Sequence, residues 1–567
     1  MLLKTITIRN FRGITDLSLD LGPTTVLIGE NNVGKTTVFD AVRTALSRAM
    51  TRRTAYSFEE DDYHLGSKDA SARDAAPIHI GLDFAETHAD EWPKEVLQRL
   101  NDIIVFDDDS RRHIVLRVTS GFDAAVNDFV TEWAFLDVDG ASLAPKAQTP
   151  SNFTAFLLFA PAHYLSAMRD ARTEFGARGA FFGAYIRNPA LPKDVRDDLQ
   201  QKLADINAAV VEAHASLREL RENLTKAQRI VALGSTDKVD IEAVPARVSD
   251  LLAKSQVSIT GVTGASLPLA RHGAGTQSLA VMFLFESFVK TFQSSGGITS
   301  SLLLLEEPET HLHPNAVRAL WPALADLPGQ KIIATHSGDL LARVPIVDVR
   351  RLYRRGGVVH VGSVAAGTLT PDERSRIDFH VRNSRGELLF ASVWLLVEGE
   401  TEFWIYQESA RLMGLNLDEM GVRVVNFKWS GAEPLLKIAN DLGIPWFLTA
   451  DGDTEGSNLA KKAKQYLAGH ASADHIHQLP FTTIETCLAA GGFGGVYESH
   501  VSPQKKALIT AQSGDPTYWD QVWAAQDKTP KPLLAIEVIH EMEKLGPAGV
   551  PGDIQHVIDR VKALSSS

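Results

Sequence analysis

The chain has 567 residues, 44% hydrophobic and 22% charged, the composition of a globular protein with several domains of about 100–200 residues each. The net charge of −13 excludes nucleic-acid binding through an overall positive charge, so contacts with phosphate groups need local basic patches. The single cysteine, Cys487, excludes a disulfide framework, and no apolar run approaches the ~18–20 residues that span a bilayer, so we predict a cytoplasmic protein without a membrane segment.

The N-terminal 28 residues predict two strands rather than a signal peptide, because ITIRNF alternates polar and apolar residues and TTVLI is a short apolar run. A GxxxxGK[ST] loop follows at residues 29–36, before the helical sequence TTVFDAVRTALSRAM. In this setting backbone N–H groups surround phosphates, Lys35 reaches the β- and γ-phosphates, and Thr36 offers a hydroxyl group to Mg²⁺. A chance match explains the flanking strand and helix poorly. The predicted nucleotide-binding residues of the loop are Asn32, Gly34, Lys35, Thr36 and Thr37.

Two regions without a chemical motif come next. Residues 78–160 contain short alternating stretches such as IHIGLDF, RHIVLRVTS and EWAFLDV, which predict β-hairpins. Residues 193–230 have apolar residues at three- and four-residue spacing and contain no Gly or Pro, which predicts helices. These helices form either a plain surface pair or a coiled-coil-like arm between two halves of a nucleotide site.

The sequence LLLLEEPETHLHP at residues 302–314 predicts a buried strand that ends in two adjacent acids. A P-loop NTPase needs an acid at this point to hold the Mg²⁺ shell, which is the role predicted for Glu306. Glu307 is predicted to polarise the attacking water, because neighbouring side chains on a strand point to opposite faces. The alternative is a helix N-cap beside Pro308, which suits Glu309 but explains two consecutive acids poorly.

Two further segments complete the predicted nucleotide site. The short strand in KIIATHSGDLLARV ends near His336, which is predicted to contact the γ-phosphate, although a single histidine there is more often a core residue. In LARHGAGTQSLAVMFLFESF a long apolar helix begins after a glycine-containing turn, and a helix N-terminus attracts phosphate. The residues predicted to bind nucleotide there are Gly275, Gln277 and Ser278.

The order and spacing of these motifs resemble the ABC-type ATPases of the SMC/RecF-like branch, in which the signature loop of one subunit completes the ATP site of its partner. Here the signature is GAGTQS instead of the usual LSGGQ form, and Glu306 replaces the usual aspartate. The resemblance gives Arg12 a nucleotide-binding role, with an exposed strand arginine as the alternative. It places His311 and His313 in a loop that crosses the dimer interface, which we favour over a zinc site because no cysteine or third histidine lies at metal spacing.

Residues 366–387 are polar and charged and predict a linker, after which a second α/β region begins. In WLLVEGETE a buried strand ends at Glu398 and a helix carries Glu402, and in IPWFLTADGD a buried strand ends at Asp451 and Asp453. Acids at the ends of adjacent parallel strands meet at one sheet edge, where like charges need a cation. Oxygen ligands favour Mg²⁺ or Mn²⁺. Two solvated acidic turns are the alternative, and DGD alone would fit it.

These residues resemble the Toprim domain of topoisomerases, primases and some nucleases. With the preceding head and helical insertion, the order of segments resembles the OLD-family nucleases, which include the nuclease subunit of the Gabija antiphage system. The resemblance covers essentially the whole chain. It adds Glu485 from TTIET, with Thr483 where some members have serine, and Lys531 from KPLLAIEV as a basic residue near the scissile phosphate. Other lysines that could take this role are Lys505, Lys506 and Lys528.

The predicted fold class is multidomain α/β, with an ABC/SMC/RecF-like ATPase head that carries a helical insertion, followed by a Toprim α/β domain with a parallel sheet. The predicted segments are the first half of the head (1–165), a helical dimerisation insertion (166–256), the second half of the head (257–370), a linker (371–388) and the Toprim nuclease domain (389–567).

The resemblance implies an ATP-binding and ATP-hydrolysing DNA endonuclease that uses two-metal phosphodiester hydrolysis in antiphage defence or DNA repair. One Mg²⁺ or Mn²⁺ ion accompanies ATP at Thr36 and Glu306, and two ions bind at the Toprim acids. The predicted ligands of these two ions are Glu398, Glu402, Asp451, Asp453 and Glu485. Lys531 is predicted to stabilise charge on the phosphate that is attacked.

The predicted partners are DNA, at least one further copy of the chain, and in some settings a UvrD-like helicase. Phosphate contacts on DNA are predicted for VRRLYRR (349–355), KKAK (461–464) and QKK (504–506), with ordinary solvated surface as the alternative for each. An ATP-dependent topoisomerase is a competing function, but no segment offers a tyrosine-bearing DNA-binding domain. An ATP-gated DNA-binding sensor is the other, and the full acid set argues against it.

Overall fold

The protein is described by a computed structural model that covers residues 1–47, 58–166, 192–228, 241–245, 247–248, 257–260, 266–296, 301–384, 386–515, 517–527 and 530–566. The chain divides into two units. The first holds residues 1–164, 299–307 and 317–567, and the second holds residues 165–298 and 308–316. The P-loop and the C-terminal acids therefore belong to the first unit, and the GAGTQS signature belongs to the second.

The strands of the described residues are β1 (Leu2–Phe11), β2 (Ile14–Asp20), β3 (Thr24–Ile28), β4 (Ile78–Ala85), β5 (Val105–Phe106), β6 (Arg112–Asp123), β7 (Asp128–Leu136), β8 (Ala162–Leu165), β9 (Ser258–Thr260), β10 (Ser266–Pro268), β11 (Leu302–Glu306), β12 (Gln330–Ala334), β13 (Val349–Arg355), β14 (Val358–Ser363), β15 (Val393–Val397), β16 (Val422–Asn426), β17 (Trp446–Ala450) and β18 (Ile476–Gln478).

The α-helices in the same part of the chain are α1 (Lys35–Ala45), α2 (Lys94–Arg99), α3 (Pro150–Phe159), α4 (Lys193–Ala213), α5 (Ala215–Gln228), α6 (Ala274–Gly296), α7 (Pro314–Ala325), α8 (Gly338–Leu341), α9 (Pro371–Asn383), α10 (Glu400–Leu412), α11 (Ala432–Asp441), α12 (Thr454–Ala463), α13 (Ile484–Leu488), α14 (Gly494–Ser499), α15 (Pro503–Lys506), α16 (Tyr518–Ala524), α17 (Lys531–Leu545) and α18 (Gly552–Ser565).

An antiparallel sheet in the order β2-β1-β4-β6-β5, with β7 also paired to β6, forms one layer of the head. The predicted alternation is confirmed, because every second residue of β4 is buried. The predicted hairpin between RHIVLRVTS and EWAFLDV is also confirmed, since β6 and β7 pair antiparallel. The apolar faces of this sheet and the apolar face of α1 share one core.

The second sheet of the head carries the nucleotide motifs, in the order β14-β13-β3-β12-β11-β8. Strands β13, β3, β12 and β11 run parallel, with Ile333 opposite both Val26 and Leu305. Leu303, Leu304 and Leu305 are completely buried, as expected for a strand covered on both faces. The carboxyl ends of β3, β11 and β12 therefore lie at one edge, where ligands bind in sheets of this type.

The C-terminal sheet is parallel throughout, in the order β16-β15-β17-β18. Helices α10, α17 and α18 contribute to its core together with Phe447 and Cys487. Strands β15 and β17 are neighbours, so the segments that follow them, beginning at Glu398 and Asp451, leave the same edge of the sheet. The predicted multidomain α/β fold class, with a parallel sheet in the C-terminal domain, is confirmed.

Helices α4 and α5 in the second unit cover the region predicted to be helical, and the chain is interrupted between them at His214. Asn207 of α4 binds the backbone of residues 241, 243 and 244, which fixes this segment beside the helix. Residues 167–191, 229–240 and 249–256 of the predicted insertion lie outside the described residues.

Three helices, α2, α3 and α9, differ from the expectations for their regions, and α2 lies within the region predicted to form hairpins. Residues 150–159, within the region predicted to form hairpins, form α3, because Thr149 caps its first turn and Pro150 fits the first helical position. Residues 371–383, within the predicted linker, form α9. The reason is a capping box, in which Thr370 and Glu373 bind each other's backbone N–H groups, so a polar composition concealed a well-defined helix start.

Among the described helices, none combines the length and the apolar character needed to cross a membrane.

Candidate nucleotide site and acidic site

The loop between β3 and α1 has the backbone geometry of a phosphate-binding turn. Gly34 immediately before α1 has a φ of +114°, a conformation that favours glycine. The Lys35 ammonium donates hydrogen bonds to the carbonyl oxygens of Gly29 at 2.7 Å and Glu30 at 2.8 Å. Burial lowers the pKa of Lys35 to about 8, so an anionic partner such as a phosphate group would stabilise its charged form.

The predicted magnesium residues Thr36 and Glu306 lie in direct contact. Thr36 Oγ1 donates to Glu306 Oε1 at 2.6 Å, and the Tyr164 hydroxyl donates to the other carboxylate oxygen. The Arg43 guanidinium carbon lies 4.0 Å from the centre of the Tyr164 ring and helps to hold it. Sequence reasoning missed Tyr164, because the strand PAHYL carries no motif and its partner is 142 residues away.

Glu307 and His336 also lie at this sheet edge. Glu307 has a φ of +42°, and its N–H group donates to the carbonyl oxygen of Ala334 at 2.8 Å. His336 Nε2 is 3.9 Å from Glu307 Oε1. Burial lowers the pKa of His336 and the charge of Lys35 lowers it further, so the neutral imidazole is favoured. The structure thus brings together Lys35, Thr36, Glu306, Glu307 and His336.

Arg12 is held by two carboxylates of the head. Its guanidinium donates to Asp40 Oδ2 at 2.6 Å and to Asp62 Oδ1 at 2.9 Å. Asn32 lies in the phosphate loop with a φ of +62°, and Thr37 lies in the first turn of α1. The nucleotide roles of these three residues stay predictions.

The signature sequence lies at the start of α6 in the second unit. Gln277 Nε2 donates to the carbonyl oxygen of His272 at 2.6 Å, and Ser278 Oγ donates to that of Thr310 at 3.1 Å. Gly275 packs against the carbonyl oxygen of His311. The signature and the predicted interface loop are therefore neighbours, and their action on a partner's nucleotide stays a prediction.

Carboxylates gather where β15 and β17 end, and their charges affect one another. Burial raises the pKa of Asp451 to about 8, and the charges of Glu402, Glu398 and Glu485 add to this effect. Burial also raises the pKa of Glu402, which is 8% exposed, to about 7, with Glu485 and Glu398 as further causes. Acids that repel one another in a partly dehydrated site are stabilised by a bound cation.

Lys531 lies beside this cluster, although only the family resemblance predicted it. Its ammonium is 3.2 Å from Glu485 Oε1 and 5.0 Å from the centre of the Trp523 ring. Glu485 is 3% exposed and also accepts a hydrogen bond from Thr401 Oγ1 at 3.3 Å. Sequence reasoning missed two of these residues. Thr401 is the hydroxyl residue of VEGETE and could have been noticed, whereas nothing in the sequence points to Trp523.

The remaining residues predicted for the acidic site have contacts of other kinds. Lys505 binds Asp527 at 2.9 Å, while Lys528 lies outside the described residues. Asp453 caps helix α12 by accepting a hydrogen bond from Gly456 N at 2.7 Å. Thr483 caps α13, the short helix that carries Glu485.

The donor set fits a hard divalent cation, because Glu398, Glu402, Asp451, Asp453 and Glu485 offer only oxygen atoms. In the described part of the chain, however, no group of three or more His, Cys, Asp or Glu side chains is arranged to hold a metal ion as it stands.

Gly452, inside the DGD sequence, permits a close approach between backbone segments. A Cβ atom at this position would lie 2.3 Å from the carbonyl oxygen of Phe481 and 2.6 Å from that of Leu479. We expect Gly452→Ala to lower the free energy of unfolding by about 1–3 kcal/mol, because backbone atoms must move apart. Gly495→Ala is the matched control, since nothing lies within 4 Å of its added methyl group. Equal denaturation midpoints for both variants and the wild type would contradict this.

Residues 1–387 match the family described as "Protein of unknown function (DUF2813)". Residues 389–453 match the family described as "Overcoming lysogenization defect protein-like, TOPRIM domain". The second match covers β15 and β17 and ends at Asp453, so it contains four of the five predicted metal ligands. Glu485 and Lys531 follow the matched region.

Several known proteins are similar to the chain over most of its length. The Escherichia coli (strain K12) protein named "Uncharacterized protein YbjD" is 29% identical over 575 residues, with 100% of this chain and 99% of the relative covered. "OLD nuclease" of Thermus scotoductus is 24% identical, with 80% and 82% covered. "Endonuclease GajA" of Bacillus cereus is 20% identical, with 83% and 78% covered. Together with the Toprim match, these similarities confirm the resemblance to OLD-family proteins.

Among solved structures, an SMC head bound to the C-terminal winged-helix domain of ScpA aligns with a TM-score of 0.37 at 14% identity, over 65% of this chain and 98% of that one. This likeness is too low to bear on function.

Proposed function

Since the chain belongs to the family described as "Protein of unknown function (DUF2813)" and carries an OLD-like Toprim domain, we propose that it is a divalent-metal-dependent DNA endonuclease with an ATP-binding head. The observation that carries this proposal is the gathering of mutually repelling carboxylates beside Lys531 at one edge of a parallel sheet. The similarity to proteins named OLD nuclease and Endonuclease GajA supports the same reaction.

Two Mg²⁺ or Mn²⁺ ions held by the acidic cluster would supply an activated water and stabilise the leaving 3′-oxygen. The ligands would be Glu398, Glu402, Asp451, Asp453 and Glu485. The Asp453 carboxylate would have to bind a metal ion and also cap α12, since it accepts a backbone hydrogen bond there.

Lys531 would act on the phosphate itself. Its side chain is 60% exposed, and its contact with Glu485 leaves donor hydrogens of the ammonium for a phosphate oxygen. The Trp523 ring below it restricts the side chain without removing its charge. Lys531 would thus stabilise the negative charge that builds up on the phosphate during attack, and Thr401 would hold Glu485 in place for this arrangement.

The head would bind and hydrolyse ATP. Lys35 would exchange its two carbonyl partners for phosphate oxygens, while Thr36 and Glu306 would hold the nucleotide's Mg²⁺. Glu307 would polarise the attacking water, and neutral His336 beside it would donate a hydrogen bond to the γ-phosphate. Asn32, Gly34, Thr37 and Arg12 would complete this site, with Gly275, Gln277 and Ser278 supplied by a partner subunit.

A signature that acts on a partner's nucleotide requires at least a homodimer. We therefore expect sedimentation velocity at micromolar concentration to show a dimer or a larger assembly, with a larger dimer fraction when ATP is added. Lys35→Ala is the control, because it should remove the response to ATP and leave any nucleotide-independent association. A pure monomer with and without ATP would contradict this arrangement.

The chemistry of the product ends tests the reaction against its two competitors. Hydrolysis at a Toprim site leaves free 5′-phosphates, which alkaline phosphatase and a polynucleotide kinase detect on an end-labelled duplex. A DNA strand covalently attached to the protein would instead identify a topoisomerase. Intact DNA that is nevertheless bound in an ATP-dependent way would identify a sensor.

For the cellular role, we propose a cytoplasmic enzyme of antiphage defence or DNA repair that acts alone or beside a UvrD-like helicase. The similarity to Endonuclease GajA and the OLD nucleases supports this proposal.

A further inference from the structure

Residues of the head and of the Toprim domain, both in the first unit, line an open cavity of about 680 Å³. This volume lies within the range of about 300–1,000 Å³ that is typical of small-molecule sites. Strand β13 of the head forms one wall, and residues 439–446, 466–475 and 560–565 of the C-terminal region form the others. None of the five predicted metal ligands lines it, whereas Glu30 of the phosphate loop does.

Strand β13 contains the sequence VRRLYRR, for which we predicted contacts with DNA phosphates. Because side chains alternate along a strand, Arg351, Tyr353 and Arg355 share one face of β13, and Arg354 from the other face also lines the cavity. The guanidinium carbons of Arg351 and Arg355 lie 5.3 Å and 5.8 Å from the centre of the Tyr353 ring. Arg351 is only 5% exposed, so it is not part of a DNA-binding surface.

Within the described parts of the chain, neither Arg351, Arg354 nor Arg355 forms an ion pair. The negative charge of Glu30, which also lines the cavity, still acts on Arg351. Arg351 donates instead to the carbonyl oxygens of Ala391 at 3.0 Å and Gly443 at 3.1 Å, and burial lowers its pKa to about 10. A buried guanidinium that forms no ion pair is costly, because the charge of Glu30 acts on it without direct contact. An anion in the cavity would offset this cost.

The C-terminal residues that line the cavity also include groups suited to a phosphate or an aromatic ring. Arg560 of α18 pairs with Asp474, yet its Nε is buried without a hydrogen-bond partner among the described residues. The ring of Tyr466 lines the same space, and its hydroxyl donates to Glu433 at 2.7 Å, which fixes the ring. His470 is exposed on this side. Guanidinium groups with aromatic rings in one cavity are suited to a phosphate group joined to a planar ring.

We propose that this cavity binds a nucleotide-class ligand, with its phosphate groups on the arginines of β13 and its base against Tyr466, since the Tyr353 ring already stacks on His360. The cavity does not include Lys35 or Thr36, but it adjoins the phosphate loop, whose Glu30 lines it. Arg351 pairs with Ile28 of β3 just before this loop, and Ser392 Oγ donates to Glu30 Oε1 at 3.2 Å. The proposal does not depend on nuclease activity.

The test uses the full chain with Lys35→Ala, which removes nucleotide binding at the P-loop. We expect this variant to retain saturable binding of ATP in equilibrium dialysis. Adding Arg355→Glu or His470→Glu should weaken this binding about tenfold or more, because each places a negative charge at an exposed position of the cavity wall. Arg376→Glu is the matched control, since Arg376 is an exposed arginine that pairs with Asp372 on α9.

Inorganic triphosphate and a DNA oligonucleotide are the comparison probes. Binding of ATP more tightly than triphosphate supports the proposal, including the contact with the base. Loss of all ATP binding in Lys35→Ala overturns it, as does equal ATP affinity in the Arg355→Glu and Arg376→Glu proteins. If Arg355→Glu weakens only the binding of the oligonucleotide, the arginines contact nucleic acid and the proposal is wrong.

Discussion

Asp451→Asn is expected to reduce DNA cleavage by about three orders of magnitude, since a bound metal supplies several kcal/mol of charge stabilisation and each 1.36 kcal/mol corresponds to a factor of ten. Asparagine keeps the shape of the side chain and removes the charge that the neighbouring acids repel. The metal-free variant should fold and bind ATP normally, because burial already raises the pKa of Asp451 to about 8 and disfavours its charged form.

The measurement is the initial rate of plasmid cleavage, with the melting temperature and ATP affinity recorded for the same preparations. Glu400→Gln is the matched control, because Glu400 is exposed and lies between Glu398 and Glu402 in the sequence. Cleavage should persist in Glu400→Gln and disappear in Asp451→Asn. An Asp451→Asn protein that cuts at the wild-type rate would show that the acidic cluster is not the site of cleavage.

Glu307→Gln is expected to slow ATP hydrolysis about 10²–10⁴-fold while ATP binding is retained, because the amide cannot accept a proton from the attacking water. The nucleotide residues and the acidic cluster share no side chain, so ATP affects cleavage only through a conformational difference between states of the head. Glu307→Gln should therefore change the cleavage rate relative to the wild type when ATP is present and not when it is absent.

Phosphate release and DNA cleavage measured with and without millimolar ATP test this coupling. Lys35→Ala provides the comparison, because it should respond to ATP in neither assay. Identical cleavage rates for all three proteins in both conditions would mean that the head does not control the cut, and its role would then lie in loading DNA or in assembly.

Local sequence was sufficient to locate the nucleotide motifs. The P-loop and the acids of LLLLEE each lie at the end of a strand that its own residues predict. It also predicted that Glu398 and Asp451 lie at the same edge of one sheet, since strands of this length and composition form parallel sheets. Tyr164 was missed because its contact with Glu306 arises only when β8 and β11 are brought into one sheet.

Composition is a poor guide to structure where local capping or tertiary packing decides it. The polar segment of α9 was interpreted as a linker, although Thr370 and Glu373 form a helix start. The arginines of β13 were interpreted as surface groups, although the Toprim domain covers Arg351. Lys531 required the family resemblance, because it lies 46 positions after Glu485 and the sequence between them carries no motif.

Incubation of the purified wild-type protein with supercoiled plasmid tests the central claim most directly. We predict nicked or linear DNA in Mg²⁺ or Mn²⁺, intact plasmid when EDTA removes the metal, and intact plasmid with Asp451→Asn in every metal. Intact plasmid with the wild-type protein in both metals, with and without ATP, would contradict the account, as would cleavage that continues in EDTA.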